Sequence, residues 1–125
     1  MKELEIKDKD VKQFDIVLCD CGEVQFAGEQ GGIRPALVVQ NDTGNYYSGT
    51  TIVLPFTTQK RNLSQPTHVL FKKDLSKGLI KDSILLAECV RQVAKNRIIK
   101  YLGKVTDEID KKKIEKAYYA NIKFN

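Results

Sequence analysis

The sequence predicts a mainly β protein that ends in a single α-helix. Short apolar runs rich in β-branched residues are separated by connections carrying glycine and asparagine, the run over residues 82–93 alternates at period two, and apolar residues at helical spacing close the chain. With 125 residues, 42% of them hydrophobic, the chain suits one domain, residues 1–125, around one core.

Residues 1–13 read as a charged arm without periodicity. Their mixture of Lys, Glu and Asp fits neither a secretion signal nor a transit peptide. No run approaches the roughly 20 apolar residues of a membrane span, so a cytoplasmic protein with no membrane partner is expected. Residues 15–20 form the first strand. Residues 21–33 hold four of the eight glycines and form a loop, in which Gly31-Gly32 permits backbone conformations that other residues resist. Residues 34–40 are a second strand, with Pro35 at its start or on an edge. Residues 41–49 form a polar loop. Residues 50–57 are a third strand whose Pro55 marks a bulge or an edge, and 59–66 form a polar, basic loop.

Residues 67–71 and 82–93 continue as strands, with one helical turn between them, and 97–105 form a last strand or a turn leading into one. The helix covers 106–122. Thr106 is its expected N-cap, Asp107, Glu108 and Asp110 sit at its positive start, and Ile114, Ala117, Tyr118 and Ile122 make its apolar stripe. Lys111, Lys112 and Lys113 are a solvated face. These elements add up to a small curled sheet or barrel.

Composition excludes several chemistries. Cys19, Cys21 and Cys89 are an odd number of thiols and do not form a disulfide framework. With the single histidine, His68, they would make a Cys3His set, but Cys-x-Cys lacks the usual zinc knuckle spacing, so no metal is expected. One histidine also rules out a two-histidine ribonuclease mechanism, and His68 reads as a hydrogen-bonded strand residue. Phosphate loop, nucleophile elbow and paired-carboxylate signatures do not occur. A net charge of +5 fits a polyanionic partner without demanding one. An enzyme built from this chain works with arginine, hydroxyls, carboxylates and backbone amides.

The segment 28–35 suits that chemistry. Its glycines allow close approach to a ligand, and Arg34 offers a planar fork matched to phosphate. The plainer alternative is a turn whose arginine pairs with Glu29 or Asp20.

The run Glu29-Gln-Gly-Gly-Ile-Arg-Pro-Ala-Leu-Val-Val-Gln-Asn-Asp42 resembles the signature segment of the MazF/PemK toxin family. The resemblance continues through Asp15-Ile-Val-Leu18, Thr51-Ile-Val-Leu-Pro-Phe-Thr57, Pro66-Thr-His-Val69, Asp82-Ser-Ile-Leu-Leu86, Val90-Arg91 and Lys95-Asn-Arg-Ile98. It implies an SH3-like barrel of the CcdB/MazF type, usually a homodimer. It also implies an endoribonuclease that cuts single-stranded mRNA at short sequences and is neutralised by a cognate antitoxin. The catalytic pair it carries over is Arg34 and Thr57. The chain departs from the family in having Phe14 before Asp15 and Ala87 before Glu88.

Such a reaction needs neither metal nor cofactor, because the ribose 2′-hydroxyl can itself attack phosphorus and leave a 2′,3′-cyclic phosphate. Arg34 would stabilise the phosphoryl charge and Thr57 would orient a hydroxyl or phosphate oxygen. Glu29 is a candidate proton acceptor if burial raises its pKa. Phe26, Tyr46 and Tyr47 are expected to stack bases in the two loops flanking Arg34, with Asn41 and Asn45 reading base edges. Arg61, Arg91 and Arg97 would track phosphates. Gln30, Gly31, Gly32, Gln40 and Thr58 complete the expected RNA contacts. Two other functions stay open on the residues alone: a CcdB-like gyrase poison acting through its terminal helix, and a non-catalytic RNA-binding barrel that keeps the motif as a phosphate clamp.

Overall fold

The computed structural model describes residues 10–23 and 31–123. The chain runs β1 (Asp15–Asp20), β2 (Ile33–Val38), α1 (Asp42–Tyr47), β3 (Thr50–Thr57), β4 (His68–Phe71), β5 (Ser83–Leu86), β6 (Arg91–Ala94), β7 (Ile98–Lys104) and α2 (Glu108–Tyr119). Three-residue 3-10 turns occur at Leu75–Lys77, Lys95–Arg97 and Ala120–Ile122. All strand pairings are antiparallel, in the order β4-β5-β3-β2-β1-β7, with β6 joined to β3. The ladder does not close: β4 and β7 stand at its two ends. The sheet is therefore curled and mainly β as expected, but open among the described residues.

β3 organises this sheet. One edge meets β2, through Ala36↔Pro55, Leu37↔Leu54 and Val38↔Val53. The other edge is shared, with β6 along Thr50–Val53 and β5 at Phe56 and Thr57. That sharing corrects the single strand expected over 82–93. The chain turns after Leu86, where Cys89 N–H donates to the Leu86 carbonyl at 3.1 Å, so that its two halves serve different parts of β3.

Both faces of the sheet are buried, which explains the continuous apolar runs. Ile16, Leu37, Leu54, Phe56 and Leu85 pack with Ile114 and Ala117 of α2. Val17, Cys19, Ala36, Val38, Val53, Val93 and Ile98 pack on the opposite face with Val11. Truncating Leu37, fully buried, to alanine would cost about 2–5 kcal/mol in transfer and cavity terms.

Pro35 and Pro55 both lie in inner strands, Pro35 opposite Leu18 of β1 and Pro55 opposite Ala36 of β2. Val39 N–H donates to the Ile52 carbonyl at 2.9 Å, and the alternation of antiparallel bonds from there makes Leu37–Leu54 and Pro35–Phe56 the bonded pairs. Pro35 therefore withholds one N–H from Phe56. The missing N–H of Pro55 points to the other edge, where β6 hands over to β5.

The expected 41–49 loop contains α1. Asn41 caps it, its Oδ1 accepting the Gly44 N–H at 2.8 Å. A six-residue helix that contains Gly44 and Asn45 has little intrinsic stability, and buried side-chain bonds described below hold it. For α2 the N-cap is Asp107 rather than Thr106, its Oδ1 accepting the Ile109 N–H at 2.9 Å. Ile114 and Ala117 are buried as expected, whereas Ile122 lies in the 3-10 turn and is 59% exposed. No helix among the described residues is long and apolar enough to cross a membrane.

Candidate functional site

Gly32 has φ +77°, a left-handed conformation that suits glycine, and it closes the neck of the first loop. Its N–H donates to the Gly22 carbonyl at 2.7 Å, and its own carbonyl accepts the Cys21 N–H at 2.9 Å. β2 then delivers Arg34 beside Cys19 of β1. The half-buried Arg34 is held by two carbonyls, Nε donating to Gly31 at 2.9 Å and Nη1 to Phe56 at 3.3 Å. The second is the carbonyl that Pro35 leaves without a ladder partner.

Carrying the β2–β3 register two residues past Ala36↔Pro55 sets Arg34 opposite Thr57, on the face that Cys19, Ala36 and Val53 share. This is a non-hydrogen-bonded pair, in which opposed side chains come closest, with Cα atoms about 4.5 Å apart. Thr57 is 6% exposed, and its Oγ accepts the Gln59 N–H at 3.2 Å as the chain leaves β3. The geometry places the two residues of the expected pair side by side at one end of the sheet.

More cations gather there. Arg91 pairs across the ladder with Val53, and its Nη2 donates to the Cys21 carbonyl at 2.8 Å. Cys89 is pushed up by burial and by Glu88, while the charges of Arg61, Arg34 and Arg91 act in the opposite direction. The Cys21 thiol is held down to about 7, first by the hydrogen bond with Cys19 and then by Arg91 and Arg34, against the effect of burial. Cys19 is pushed up by that same hydrogen bond and by burial, with Arg97 acting in the opposite direction. Arg97 also comes close to Gly22, where an added Cβ would lie 3.7 Å from its Nη1. Arg61 donates to Gln59 Oε1 at 3.3 Å and the Lys60 carbonyl at 3.1 Å. Arg34 opposite Thr57, with Arg91 at the Cys21 carbonyl, Arg97 beside Gly22 and Arg61 after β3, makes a basic surface suited to a phosphate-bearing ligand.

Of the other expected contacts, Gly31 is buried and supplies the carbonyl for Arg34, while Gly32 and Thr58 are exposed beside the pair. Glu29 and Gln30, with Phe26, lie outside the described residues.

The second flanking loop is a correction. α1 joins the end of β2 to the start of β3, at the end of this hairpin remote from Arg34 and Thr57. Seven residues at about 3.3 Å each set Asn41 roughly 20 Å along from Arg34. Tyr46 and Tyr47, 75% and 81% exposed, form a T-shaped pair with centroids 4.8 Å apart at this remote end. Asn45 is 1% exposed and cannot read a base. Its Oδ1 accepts Gln40 Nε2 at 3.0 Å and Thr51 Oγ at 2.7 Å, and its Nδ2 donates to the Gln40 carbonyl at 2.9 Å. Gln40 Nε2 also donates to the Thr50 carbonyl at 3.0 Å, so Gln40 belongs to the same internal bracket. Asn41 is the α1 cap. Buried Lys95 completes the arrangement, its Nζ donating to the Asn45 carbonyl. Sequence reasoning missed that lysine; the Asn-Asp-Thr-Gly-Asn string is the only local hint of a capped turn.

His68 is a structural histidine, as expected. Nδ1 donates to the Asn62 carbonyl and Nε2 faces Glu88 Oε2, each at 2.9 Å. Burial alone would raise Glu88, but hydrogen bonds from His68 and from its own backbone N–H outweigh it and hold the carboxyl low. This pair ties β4 to the turn before β6.

Residues 12–118 match the family model of PemK-like, MazF-like toxins of type II toxin–antitoxin systems. The endoribonuclease MazF of Staphylococcus saprophyticus is 43% identical over 98 residues, 78% of this chain and 80% of the relative. The crystal structure of MazF from Deinococcus radiodurans superposes with a TM-score of 0.72 at 20% identity, over 90% of this chain and 96% of that one. An endoribonuclease from a mycobacterial species, in complex with its cognate antitoxin, gives 0.71 at 22% identity over 90% and 94%. At such identities the two superpositions speak for the fold.

Proposed function

The chain belongs to the PemK-like, MazF-like toxin family, and from that premise we propose that it is an endoribonuclease that cuts single-stranded mRNA in the cytoplasm. The 43% identity to an endoribonuclease supports the activity. The observation that carries the mechanism is the setting of Arg34, anchored through Gly31 and Phe56 opposite Thr57.

The 2′-oxygen attacks the adjacent phosphorus, the bond to the 5′-oxygen breaks, and the products are a 2′,3′-cyclic phosphate and a 5′-hydroxyl. The nucleophile comes from the RNA, so the step calls for no metal-bound water. A guanidinium is permanently cationic, and that of Arg34 neutralises charge growing on the phosphoryl oxygens. Thr57 Oγ accepts Gln59 N–H, which leaves its proton to donate to a phosphate oxygen or the 2′-oxygen. Arg61, Arg91 and Arg97 hold flanking phosphates, and Gly31, Gly32 and Thr58 line the approach. The protein works as a homodimer and is neutralised by a cognate antitoxin, for which the mycobacterial complex is the supporting likeness.

The test uses end-labelled single-stranded RNA incubated with purified protein in EDTA. Cleavage leaving cyclic phosphate, lost in Arg34→Ala, is the expected result. RNA bound but intact would instead mean a phosphate clamp, and gyrase inhibition without RNA loss a gyrase poison.

A further inference from the structure

Cys19 and Cys21 stand two residues apart where β1 ends, so their side chains fall on one face, in the core that Ala36, Val53 and Val93 share. The two thiols are hydrogen-bonded to each other, and neither is engaged in a disulfide. Cys19 keeps its proton, whereas Cys21, with Arg91 and Arg34 near it, ionises first. Cys21 is buried but lies one residue from water: Gly22 after it is half-buried and Glu23 is exposed. The cleavage chemistry of Arg34 and Thr57 makes no use of either thiol.

The backbone of Cys21 helps to hold the neck of the first loop. Its N–H donates to the Gly32 carbonyl at 2.9 Å, and its carbonyl accepts Arg91 Nη2 at 2.8 Å. Gly31, beside Gly32, supplies the carbonyl that fixes Arg34 Nε. Two residues of strand span roughly 6.4–6.8 Å, the upper end of the Cα separations that a disulfide accepts, about 4.4–6.8 Å. β1 is irregular at this point: its register against β7 shifts between Leu18 and Cys19, and the Asp20 carboxylate accepts the Gly22 N–H at 2.9 Å in the turn that follows. A bent strand end can shorten far enough to take a bridge. Doing so draws the Cys21 amide and carbonyl off Gly32 and Arg91.

We propose that Cys19 and Cys21 form an oxidation site, which a hydroperoxide converts to a Cys19–Cys21 disulfide, and that this bond loosens the neck behind Arg34. The Cys21 thiolate attacks one peroxide oxygen, the O–O bond breaks, and the departing oxygen takes a proton and leaves as water or an alcohol. Cys21 then carries a sulfenic acid. The Cys19 sulfur attacks the Cys21 sulfur, the S–OH bond breaks, and the hydroxide leaves with the Cys19 proton as water. Two electrons pass from the thiols to the peroxide, and an external dithiol returns them. A transient, reversible bond is the usual form of disulfide in a reducing compartment. The oxidation site stands on the placement of the thiols; its effect on RNA cleavage rests on the ribonuclease function proposed for Arg34 and Thr57.

The test treats the folded full-length protein with hydrogen peroxide and follows intact mass, fragmentation and RNA cleavage in parallel. The expected product is lighter by two hydrogens, with the new bond between Cys19 and Cys21 and with Cys89 still open to alkylation after unfolding. It cuts single-stranded RNA at least tenfold more slowly, and dithiothreitol restores both mass and rate. Cys89→Ala forms the same bond, whereas Cys19→Ala and Cys21→Ala do not lose the two hydrogens. An unchanged mass, a bond that forms only in urea, a bond to Cys89, or undiminished cleavage by the bridged protein would each overturn the proposal. Bond formation in a protein whose reduced form never cuts RNA would uphold the oxidation site and sink the ribonuclease function instead.

Discussion

Arg34 Nη1 donates to the main-chain carbonyl of Phe56 at 3.3 Å, so the guanidinium is anchored one residue before the hydroxyl it faces, Thr57. The anchor exists because Pro35, between them in register, has no N–H to give that carbonyl. Replacing Arg34 by lysine keeps the charge and removes the fork that spans Gly31 and Phe56. Single-turnover RNA cleavage is expected to fall about 10²–10³-fold, the usual cost of one preorganised donor. Cleavage by Arg34→Lys within threefold of the parent would show that charge alone is sufficient.

Pro35→Ala tests the anchor without touching the guanidinium. The new N–H restores a ladder bond worth about 0.5–1.5 kcal/mol. Losing proline's restraint on the unfolded chain costs about 0.4–1 kcal/mol. These nearly cancel, so the urea midpoint should barely move while cleavage drops several-fold, because the Phe56 carbonyl now has another donor. Equal activity in both proteins would remove that carbonyl from the account.

Asn45→Ala should act on stability and not on chemistry. The substitution strands Thr51 Oγ and a Gln40 amide proton in the interior, and unsatisfied buried groups cost about 1–3 kcal/mol each. A loss of about 2–4 kcal/mol in urea unfolding is expected on that basis, with cleavage per folded molecule unchanged. A drop in activity without a drop in stability would return Asn45 to the RNA-reading role that its sequence position suggests.

The contrast between Arg34 and Asn45 shows what the sequence makes legible. Strands read well because β1, β2 and β3 are buried on both faces and concentrate Ile, Val and Leu. Arg34 and Thr57 are singled out by the family resemblance rather than by spacing, and the β2–β3 register sets them opposite each other. α1 does not read, since its stability comes from Thr51 and Lys95, outside the segment. The break between β5 and β6 does not read either, being decided by how β3 divides its edge. Placing Tyr46 and Tyr47 beside Arg34 is a topological error: the turn of a hairpin lies opposite the end where its first strand begins.

Two aspartates respond to acid in opposite senses. Asp74 is lowered from 3.8 to about 2, first by Lys77 Nζ and then by the Ser76 hydroxyl and amide. Its folded-state preference for the charged form stabilises the protein above pH 3.8 and is lost as pH falls toward 2. Asp15 is raised, chiefly by burial, so its charged form disfavours folding at neutral pH and protonation relieves this. Asp74→Asn should therefore lower the melting temperature at pH 7 and converge on the parent near pH 2, while Asp15→Asn should lose little at pH 7. Parallel melting curves for Asp74→Asn and the parent across that acid range would contradict the first assignment.

Gly103 sits where β7 passes under the 3-10 turn Leu75–Lys77. A Cβ there would lie 2.5 Å from the Lys77 carbonyl carbon, 2.6 Å from its Cα and 2.6 Å from the Ser76 carbonyl oxygen. All three are backbone atoms and cannot swing aside as a side-chain tip would, so Gly103→Ala must push the turn off β7. Overpacking of this kind costs about 1–3 kcal/mol. The turn also carries the Asp74–Lys77 pair, 2.7 Å apart, so the substitution should flatten the acid dependence that Asp74 produces. Gly49 is the control: nothing lies within 4 Å of a Cβ built there and its φ is not positive, so Gly49→Ala should be neutral or slightly stabilising. Equal melting temperatures for the two variants would mean that β7 and the turn are not in fixed contact.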